Sequence, residues 1–261
     1  MKILDGKKLA EFIKERQYKV VKEMSKKPKL LIIRDSDNPV IMKYVAMKKA
    51  YGRDIGVEVE EYLANNSKEI ETKIKKANQD ATVTGIIIQL PIREKEKTEE
   101  VVSLIATEKD VDGLKGQREV ISATARAIDW LLAGYDIDIK RKRLAIVGRG
   151  RLVGTPLYKM WRETGLDVSL FHRGDDLAKL KDYGVVVTAT GQPRLIKSEM
   201  IMRGAVVVDA GTASEKGVLV GDIDEEVRER KDLKAITPRI GGVGPLTVAC
   251  LFEQVIAMKK R

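Results

Sequence analysis

Residues 143–156 read RLAIVGRGRLVGTP, an apolar run that ends in a glycine-rich segment. Leu144 to Val147 form a short apolar run that is typical of a buried parallel strand. Gly148, Gly150 and Gly154 follow it. A strand, a glycine turn and a helix start together offer backbone N–H groups to an anion, which the helix dipole also favours. The stretch predicts a diphosphate-binding turn. Its G-x-G-x-x-x-G spacing is one residue longer than the usual fingerprint, so an ordinary glycine-rich turn stays open.

The following strand indicates which dinucleotide such a turn would hold. Val168 to Phe171 is a second apolar strand, and in dinucleotide-binding folds the residue after it meets the adenosine ribose. An acidic residue there would accept from the free 2′-hydroxyl of NAD. This chain has His172 and Arg173 at that position, with Arg149 and Arg151 in the glycine turn. Several cations suit a 2′-phosphate, so the pattern favours NADP, although any one arginine could be solvated surface charge.

Length and composition bound the class of protein. The chain has 261 residues, enough for one large or two modest domains. Its single cysteine, Cys250, excludes an intrachain disulfide, and no residue spacing suggests a metal site. No apolar run approaches the roughly 20 residues that span a bilayer, and the start MKILDGKKLAEF lacks the apolar core of a signal peptide. We therefore expect a soluble, cytoplasmic protein without a membrane partner.

The formal net charge of +10 raises the possibility of nucleic-acid binding. The lysines, however, alternate with glutamates, as in KEIETKIKK, which is typical of solvated helices. Aromatic residues make up 5% of the chain and do not interleave with the basic residues as a base-stacking surface requires. A polyanionic substrate or cofactor explains the charge equally well. We expect no nucleic-acid partner, but this class remains the alternative that a salt-dependent gel shift would detect.

Helices and strands alternate along the chain, which predicts parallel sheets. The alternation divides near residues 120 to 140 into two α/β units, and the helix after Pro245 is expected to return to the first unit. The predicted helices run over 5–24, 38–52, 67–77 (with Ser67 as cap), 96–105 and 124–132. The predicted strands cover 30–33, 57–63, 85–91, 143–147, 167–171, 184–188 and 205–208, with helices between the last four.

The helix after Asn38-Pro39 carries the most informative lysine. At about 100° per residue, Lys48 projects into the middle of an apolar arc, with Tyr44 and Tyr51 on the same face. Such a lysine either snorkels to the rim or is a desolvated amine whose pKa is lowered towards a useful acid–base range. The residues alone favour snorkelling. The ring of Tyr44 one turn before the amine would suit a flat heterocycle.

Two further polar features follow strands, where ligands of α/β proteins usually bind. Gln89 ends the apolar run of Ile86 to Ile88, and its amide either satisfies nearby backbone or faces a ligand. Asp110 and Asp112 flank a valine before Gly113, in an acidic loop that simple turn chemistry could also explain. The single histidine lies at the cofactor position, so no Ser-His-Asp set can be assembled.

Seven motifs in one order resemble those of the methylenetetrahydrofolate dehydrogenase/cyclohydrolase family, the bifunctional folate enzymes. The resemblance covers nearly the whole chain, and seven ordered motifs are far more specific than any one of them. They are YVAMKK (44–49), GIIIQLPI (85–92), KDVDG (109–113), VGRGRLVGTP (147–156), ATGQP (189–193), VVVDAGT (206–212) and TPRIGGVGPLTVA (237–249).

The resemblance implies a homodimer of two-domain α/β subunits that act on tetrahydrofolate derivatives with NADP. It implies a catalytic domain over residues 1–121, completed by a C-terminal helix over 245–261, and a Rossmann-type NADP-binding domain over 122–244. Methylenetetrahydrofolate would lose a hydride to NADP, and water would then convert the methenyl product into 10-formyltetrahydrofolate. The implied catalytic residues are Lys48, Tyr44, Gln89 and Asp112. The implied cofactor-binding residues are Gly148, Arg149, Gly150, Arg173, Thr212, Gly241 and Gly242.

The chain also departs from the family pattern. Ile41 replaces a serine three residues before Tyr44, Gly150 replaces a serine of the cofactor turn, and Ile240 replaces a proline. The segment at 122–127 keeps only the threonine of PCTPxG. These departures leave open the rigidity of the loops and the relative rates of the two steps, and the implied catalytic set is intact. A monofunctional dehydrogenase remains a second alternative, against which the intact Tyr44, Lys48 and Gln89 argue.

Overall fold

The computed structural model describes residues 1–116, 120–215 and 218–259. Its helices are α1 (Gly6–Lys22), α2 (Pro39–Ile55), α3 (Ser67–Gln79), α4 (Thr98–Ser103), α5 (Ala123–Gly134), α6 (Gly154–Glu163), α7 (Glu225–Glu229) and α8 (Val243–Lys259). Its strands are β1 (Lys2–Ile3), β2 (Lys29–Arg34), β3 (Glu58–Leu63), β4 (Gly85–Ile88), β5 (Leu144–Val147), β6 (Val168–Phe171), β7 (Val185–Thr188), β8 (Val206–Asp209), β9 (Ala213–Glu215), β10 (Val218–Val220) and β11 (Ala235–Ile236).

The chain folds into two compact units. The first unit takes the described residues within Glu11–Ala123 and Val248–Arg261, and the second takes Met1–Ala10 and those within Thr124–Thr247. The later part of α8 thus belongs to the first unit, where Phe252 stacks on Tyr51 with ring centroids 5.1 Å apart. The two-domain α/β architecture expected from the alternation of helices and strands is confirmed.

The first unit contains a parallel sheet in the order β3–β2–β4. The apolar side chains of β2 and β4 are buried, as in parallel sheets that are covered on both faces. The chain passes from β2 to β3 on one side and then to β4 on the other. This reversal makes a crevice at the carboxyl ends of β2 and β4, where ligands bind in open α/β sheets. Gln89 directly follows β4 at that edge.

The second unit contains a parallel sheet in the order β1–β11–β8–β7–β5–β6, beside the antiparallel pair β9–β10. The chain goes from β5 to β6 on one side and then to β7 on the other, so the reversal lies between β5 and β7. The glycine turn follows β5 directly. The turn predicted to bind a diphosphate therefore lies at the crevice of this sheet.

The start of the chain differs from the expected division. Residues 1–10 were expected in the first unit, but Lys2–Ile3 pairs in parallel with Ala235–Ile236 and adds an edge strand to the sheet of the second unit. Two-residue strands carry no detectable periodicity, so the sequence predicts neither β1 nor β11. Residues 117–119 of the expected first domain and 260–261 of its last helix lie outside the described residues.

Several element predictions were wrong in detail. The helices expected between β6 and β7 and between β7 and β8 are 3-10 segments, Leu177–Asp182 and Ser198–Met200. The cap of α3 is Asn66, whose Oδ1 accepts from the backbone N–H of Glu69 at 3.0 Å. Ser67 is instead the first helical residue, and its Oγ donates to Glu94. The third strand ends at Ile88 rather than at Pro91 because Gln89 begins the loop.

Among the described residues, no helix combines the length and the apolar character that a membrane span requires.

Candidate active site

Helix α2 places Lys48 inside the first unit. Asn38 caps the helix by accepting from the N–H of Val40, and Pro39 occupies the first turn, so the helix starts where the sequence predicts. The buried face of α2 carries Ile41, Val45 and Lys48. Lys48 is 8% exposed, which rules out the snorkelling that the residues alone favour. The alternative interpretation, a desolvated amine, is the one that the structure supports.

The Lys48 amine meets two of the other predicted residues. Its Nζ donates to Oε1 of Gln89 at 2.8 Å, and the carboxylate of Asp112 interacts with it electrostatically. Burial lowers the pKa of Lys48, and the charge of Asp112 partly opposes this. Burial raises the pKa of Asp112 to about 6, against the attraction of Lys48. An amine whose pKa is lowered by burial gives up and takes back a proton more readily than an exposed lysine does.

Close packing brings the acidic loop to this position. A side chain on Gly85 of β4 would collide with Val111, and Ile86 forms a bridge with Asp110. Asp110 accepts from the N–H groups of Leu114 and Lys115 at 3.0 Å, so the turn chemistry proposed for the loop applies to this residue. Asp112 has different surroundings, near Lys48, and accepts from the N–H of Ala123.

Tyr44 lies one turn before Lys48 on α2 and is partly exposed. Ile41, three residues earlier, is 6% exposed and belongs to the buried face. Where the family pattern has a serine, this chain therefore packs a hydrocarbon beside the lysine turn. The structure thus places Tyr44, Lys48, Gln89 and Asp112 in one unit, with the last three in direct or electrostatic contact.

The glycine turn in the second unit fits the backbone of a dinucleotide. Gly148 has a φ of 111°, and a side chain there would collide with the carbonyl of Ala189. A side chain on Gly154, the first residue of α6, would collide with the carbonyl of Gly148. A Cβ on Gly150 would meet no atom of the described residues within 4 Å. The turn is therefore closed on the protein side and open at Gly150 and Arg149, both of which are exposed.

The cations expected at a 2′-phosphate also lie at this edge. His172 and Arg173 follow β6 and are exposed, as Arg149 is after β5. The ring Nδ1 of His172 lies 3.4 Å from the Asp175 carboxylate. Because β5 and β6 are neighbours in parallel, these side chains share one edge of the sheet. Backbone glycines and cations of this kind fit a dinucleotide that carries a 2′-phosphate.

The remaining predicted cofactor residues follow two other strands of the same sheet. Thr212 lies three residues after β8 and is exposed. Gly241 has a φ of 91°, and its carbonyl accepts from the N–H of Lys7 at 3.0 Å. Gly242 is buried, and its carbonyl lies so close to Gly6 that a side chain on Gly6 would collide with it. Thr212 and both glycines therefore belong to loops at the carboxyl edge of the sheet.

The sequence reasoning missed the loop after β7. Ala189 to Gly191 form the other side of the reversal point between β5 and β7, where the carbonyl of Ala189 faces Gly148. The ATGQP motif at 189–193 was available as a signal, since it directly follows a strand. No role was assigned to it because its polar atoms point to no particular chemistry.

The packing of the glycine turn can be tested with two matched glycine-to-alanine variants. Gly154→Ala puts a methyl group against the Gly148 carbonyl, and overpacking of this kind typically costs about 1–3 kcal/mol. We expect Gly154→Ala to lower the free energy of unfolding, measured in urea, and to abolish the binding of a dinucleotide to the turn. Gly150→Ala, four residues earlier, should leave stability unchanged. Equal stability of the two variants would contradict the packing described for the turn.

Comparisons with known proteins identify a family for both parts of the chain. Residues 4–112 match the tetrahydrofolate dehydrogenase/cyclohydrolase catalytic domain, and residues 122–261 match the NAD(P)-binding domain of the same family. The bifunctional protein FolD of Lactobacillus delbrueckii subsp. bulgaricus is 39% identical, over 99% of this chain and 97% of the relative.

Solved structures give the same result. The bifunctional FolD of Campylobacter jejuni has a TM-score of 0.91 at 32% identity and covers 100% of this chain and 99% of its own. The Trypanosoma brucei methylenetetrahydrofolate dehydrogenase-cyclohydrolase, complexed with NADP and an inhibitor, has a TM-score of 0.90 at 29% identity, over 99% of this chain and 97% of its own. On these matches, the chain belongs to the tetrahydrofolate dehydrogenase/cyclohydrolase family.

Proposed function

We propose that this protein oxidises 5,10-methylenetetrahydrofolate with NADP and then hydrolyses the methenyl product to 10-formyltetrahydrofolate, as a bifunctional enzyme of one-carbon metabolism. The family membership supports both steps. One observation carries the second step in particular, which is the buried Lys48 amine 2.8 Å from Gln89 and beside Asp112. A protein that performed only the hydride transfer would have little need for a desolvated amine with a lowered pKa.

The first unit would handle the folate. Asp112 would accept hydrogen bonds from the donor edge of the pterin, and the Tyr44 ring would pack on the folate. Gln89 would keep the Lys48 amine oriented by accepting from it. Lys48 would take the proton that the attacking water loses and return a proton to the folate nitrogen as the ring opens. The oxidation needs less help, because the cation formed is an amidinium stabilised by two nitrogens.

The second unit would hold the cofactor. NADP, when bound, supplies the nicotinamide carbon that accepts the hydride. Gly148 and Gly150 would bring bare backbone to the diphosphate, and Arg149 with Arg173 would pair with the 2′-phosphate. Thr212 and the Gly241–Gly242 backbone would line the nicotinamide end. The main task of these residues is to orient the acceptor carbon.

A single assay tests the proposed function. With methylenetetrahydrofolate and NADP as substrates, the absorbance of NADPH and that of methenyltetrahydrofolate are followed together. We expect NADPH to rise while methenyltetrahydrofolate stays low, since the second step removes it. NADPH formation with stoichiometric accumulation of methenyltetrahydrofolate would identify a monofunctional dehydrogenase. Absence of NADPH formation would overturn the proposal.

The proposal also includes a homodimer, which the family resemblance implies, and a cytoplasmic location, which is the default for a chain whose single cysteine excludes an intrachain disulfide. Sedimentation equilibrium is expected to give the mass of two copies of the 29.1 kDa chain at micromolar concentration. The mass of one chain at all concentrations would contradict the dimer.

A further inference from the structure

A buried carboxylate holds the loop that faces the glycine turn. Asp222 follows β10 in the second unit and is completely buried. Its Oδ2 accepts the backbone N–H of Thr190 at 2.6 Å, and the N–H of Gly191 also donates to it. The residue before them, Ala189, presents its carbonyl to Gly148. Asp222 is thus linked through one short loop to the proposed diphosphate site.

A second carboxylate, Asp209, fixes the backbone on which Asp222 lies. It accepts from the N–H groups of Asp222 at 3.1 Å and Ile223 at 3.4 Å, and it pairs with the Arg228 guanidinium at 2.5 Å. Asp209 also accepts from the N–H of Gly211 at 3.1 Å. A side chain on Gly211 would collide with the Asp222 carboxyl group, so the two acids and this loop are tightly packed. The position of Asp222 is therefore determined from several sides.

Keeping a charge at this position is unfavourable for folding. Burial raises the pKa of Asp222, and the neighbouring Asp209 charge adds to the effect. Arg228 pairs with Asp209, whereas the Oδ1 of Asp222 has no hydrogen-bond partner among the described residues. A buried oxygen without a partner costs free energy that a smaller or neutral side chain would avoid. Unfavourable groups of this kind are found at functional sites more often than elsewhere.

We propose that Asp222 is a positioning residue for NADP, which holds the loop after β7 at the distance from the glycine turn that the cofactor requires. The inference rests on the cofactor site of the proposed function. In this fold the ligand lies between the loops that follow the two strands at the reversal point. One of these loops carries Gly148, and the other is held by Asp222 through two N–H groups. Without the carboxylate the second loop loses both hydrogen bonds, and small displacements of a binding surface weaken binding strongly.

Calorimetric titration of NADP into three variants tests the inference. Asp222→Ala is expected to raise the dissociation constant roughly tenfold, because two hydrogen bonds to a charged acceptor are lost. Asp222→Asn keeps an oxygen that accepts the same N–H groups, so its constant should stay within about threefold of the wild type. The control is Asp224→Ala. Asp224 lies two residues further on, where it caps α7 and pairs with Lys197 at 2.5 Å. We expect no more than about a twofold change for it.

A second measurement separates positioning from general damage. Hydrolysis of added methenyltetrahydrofolate needs no NADP, and its proposed residues lie in the first unit, so Asp222→Ala should keep the wild-type rate. A wild-type dissociation constant for Asp222→Ala would overturn the inference. The inference would also be overturned if Asp224→Ala weakened NADP binding as much as Asp222→Ala does, or if Asp222→Ala lowered the hydrolysis rate in parallel with NADP binding. If Asp222→Ala does not fold, Asp222→Ser replaces it, because the serine hydroxyl is too short to reach both N–H groups. Asp222→Ser must then show the tenfold rise in the dissociation constant for NADP that Asp222→Asn lacks. Wild-type protein that binds no NADP would instead refute the proposed function.

Discussion

Lys48→Met is expected to lower the rate of methenyltetrahydrofolate hydrolysis by about 10²–10⁴-fold, the usual contribution of a general acid–base group. Methionine keeps the apolar stem of lysine and deletes the amine, so the bond to Gln89 is lost while the packing of α2 is retained. The oxidation step should fall less, because hydride departure needs no simultaneous proton transfer. Methenyltetrahydrofolate should then accumulate during turnover, which its absorbance reports directly.

Lys49→Met is the matched control for this experiment. Lys49 is the next residue of α2, its side chain is 49% exposed, and it pairs with Glu61 at the surface at 2.8 Å. The same substitution there should leave both steps near their wild-type rates. A Lys48→Met protein that hydrolyses added methenyltetrahydrofolate normally would show that the amine has no catalytic role, despite its burial.

The pH dependence of stability gives Lys48→Met an independent readout. Burial lowers the folded-state pKa of Lys48 from its ordinary value of 10.5. Between the folded and the ordinary pKa, the unfolded chain binds the proton more strongly, so wild-type stability rises with pH through that window. The variant lacks this group, and its free energy of unfolding should change less with pH there. The free energy of unfolding is measured by urea titration at a series of pH values. If it changes with pH equally in the variant and the wild type, the amine is not desolvated in solution.

The second large effect is expected for the double variant Arg149→Ala with Arg173→Ala. Both side chains lie exposed at the carboxyl edge of neighbouring strands, where a 2′-phosphate would meet them. Loss of charge-assisted hydrogen bonds to that phosphate should raise the Michaelis constant for NADP at least roughly tenfold. The constant for NAD, which has no 2′-phosphate, should change much less.

Arg203→Ala controls for a general loss of positive charge. Arg203 lies in the same unit, is 89% exposed and is near Asp232. Its removal should leave the constants for both cofactors unchanged. If the double variant raises the Michaelis constants for NADP and NAD equally, Arg149 and Arg173 contact the diphosphate or stabilise the fold. The basis for NADP preference must then lie elsewhere.

Elements whose signal is local could be predicted from the sequence. The apolar run at 144–147 with its glycines predicted the strand and turn, because the pattern of a short apolar strand and the geometry of a glycine turn depend on adjacent residues. Asn38-Pro39 likewise fixed the start of α2, and the helical period placed Lys48 on its apolar face. The order of the motifs then indicated the family. For the strand, the turn and the helix start, the residues that carry the information are close together in the sequence, and the family follows from several such local motifs in one order.

The depth to which residues are buried, and the contacts between distant segments, are visible only in the folded structure. A helical period shows that Lys48 faces the core, but the loss of its hydration depends on β4 and the 109–113 loop. The pairing of β1 with β11 joins segments more than 230 residues apart, through strands too short for any pattern. Asp222 and Thr190 are 32 residues apart. From the sequence alone, an aspartate in a loop indicates only a turn, because its distant hydrogen-bond partner is not known. Such contacts depend on the packing of the whole unit, and no local pattern of residues encodes them.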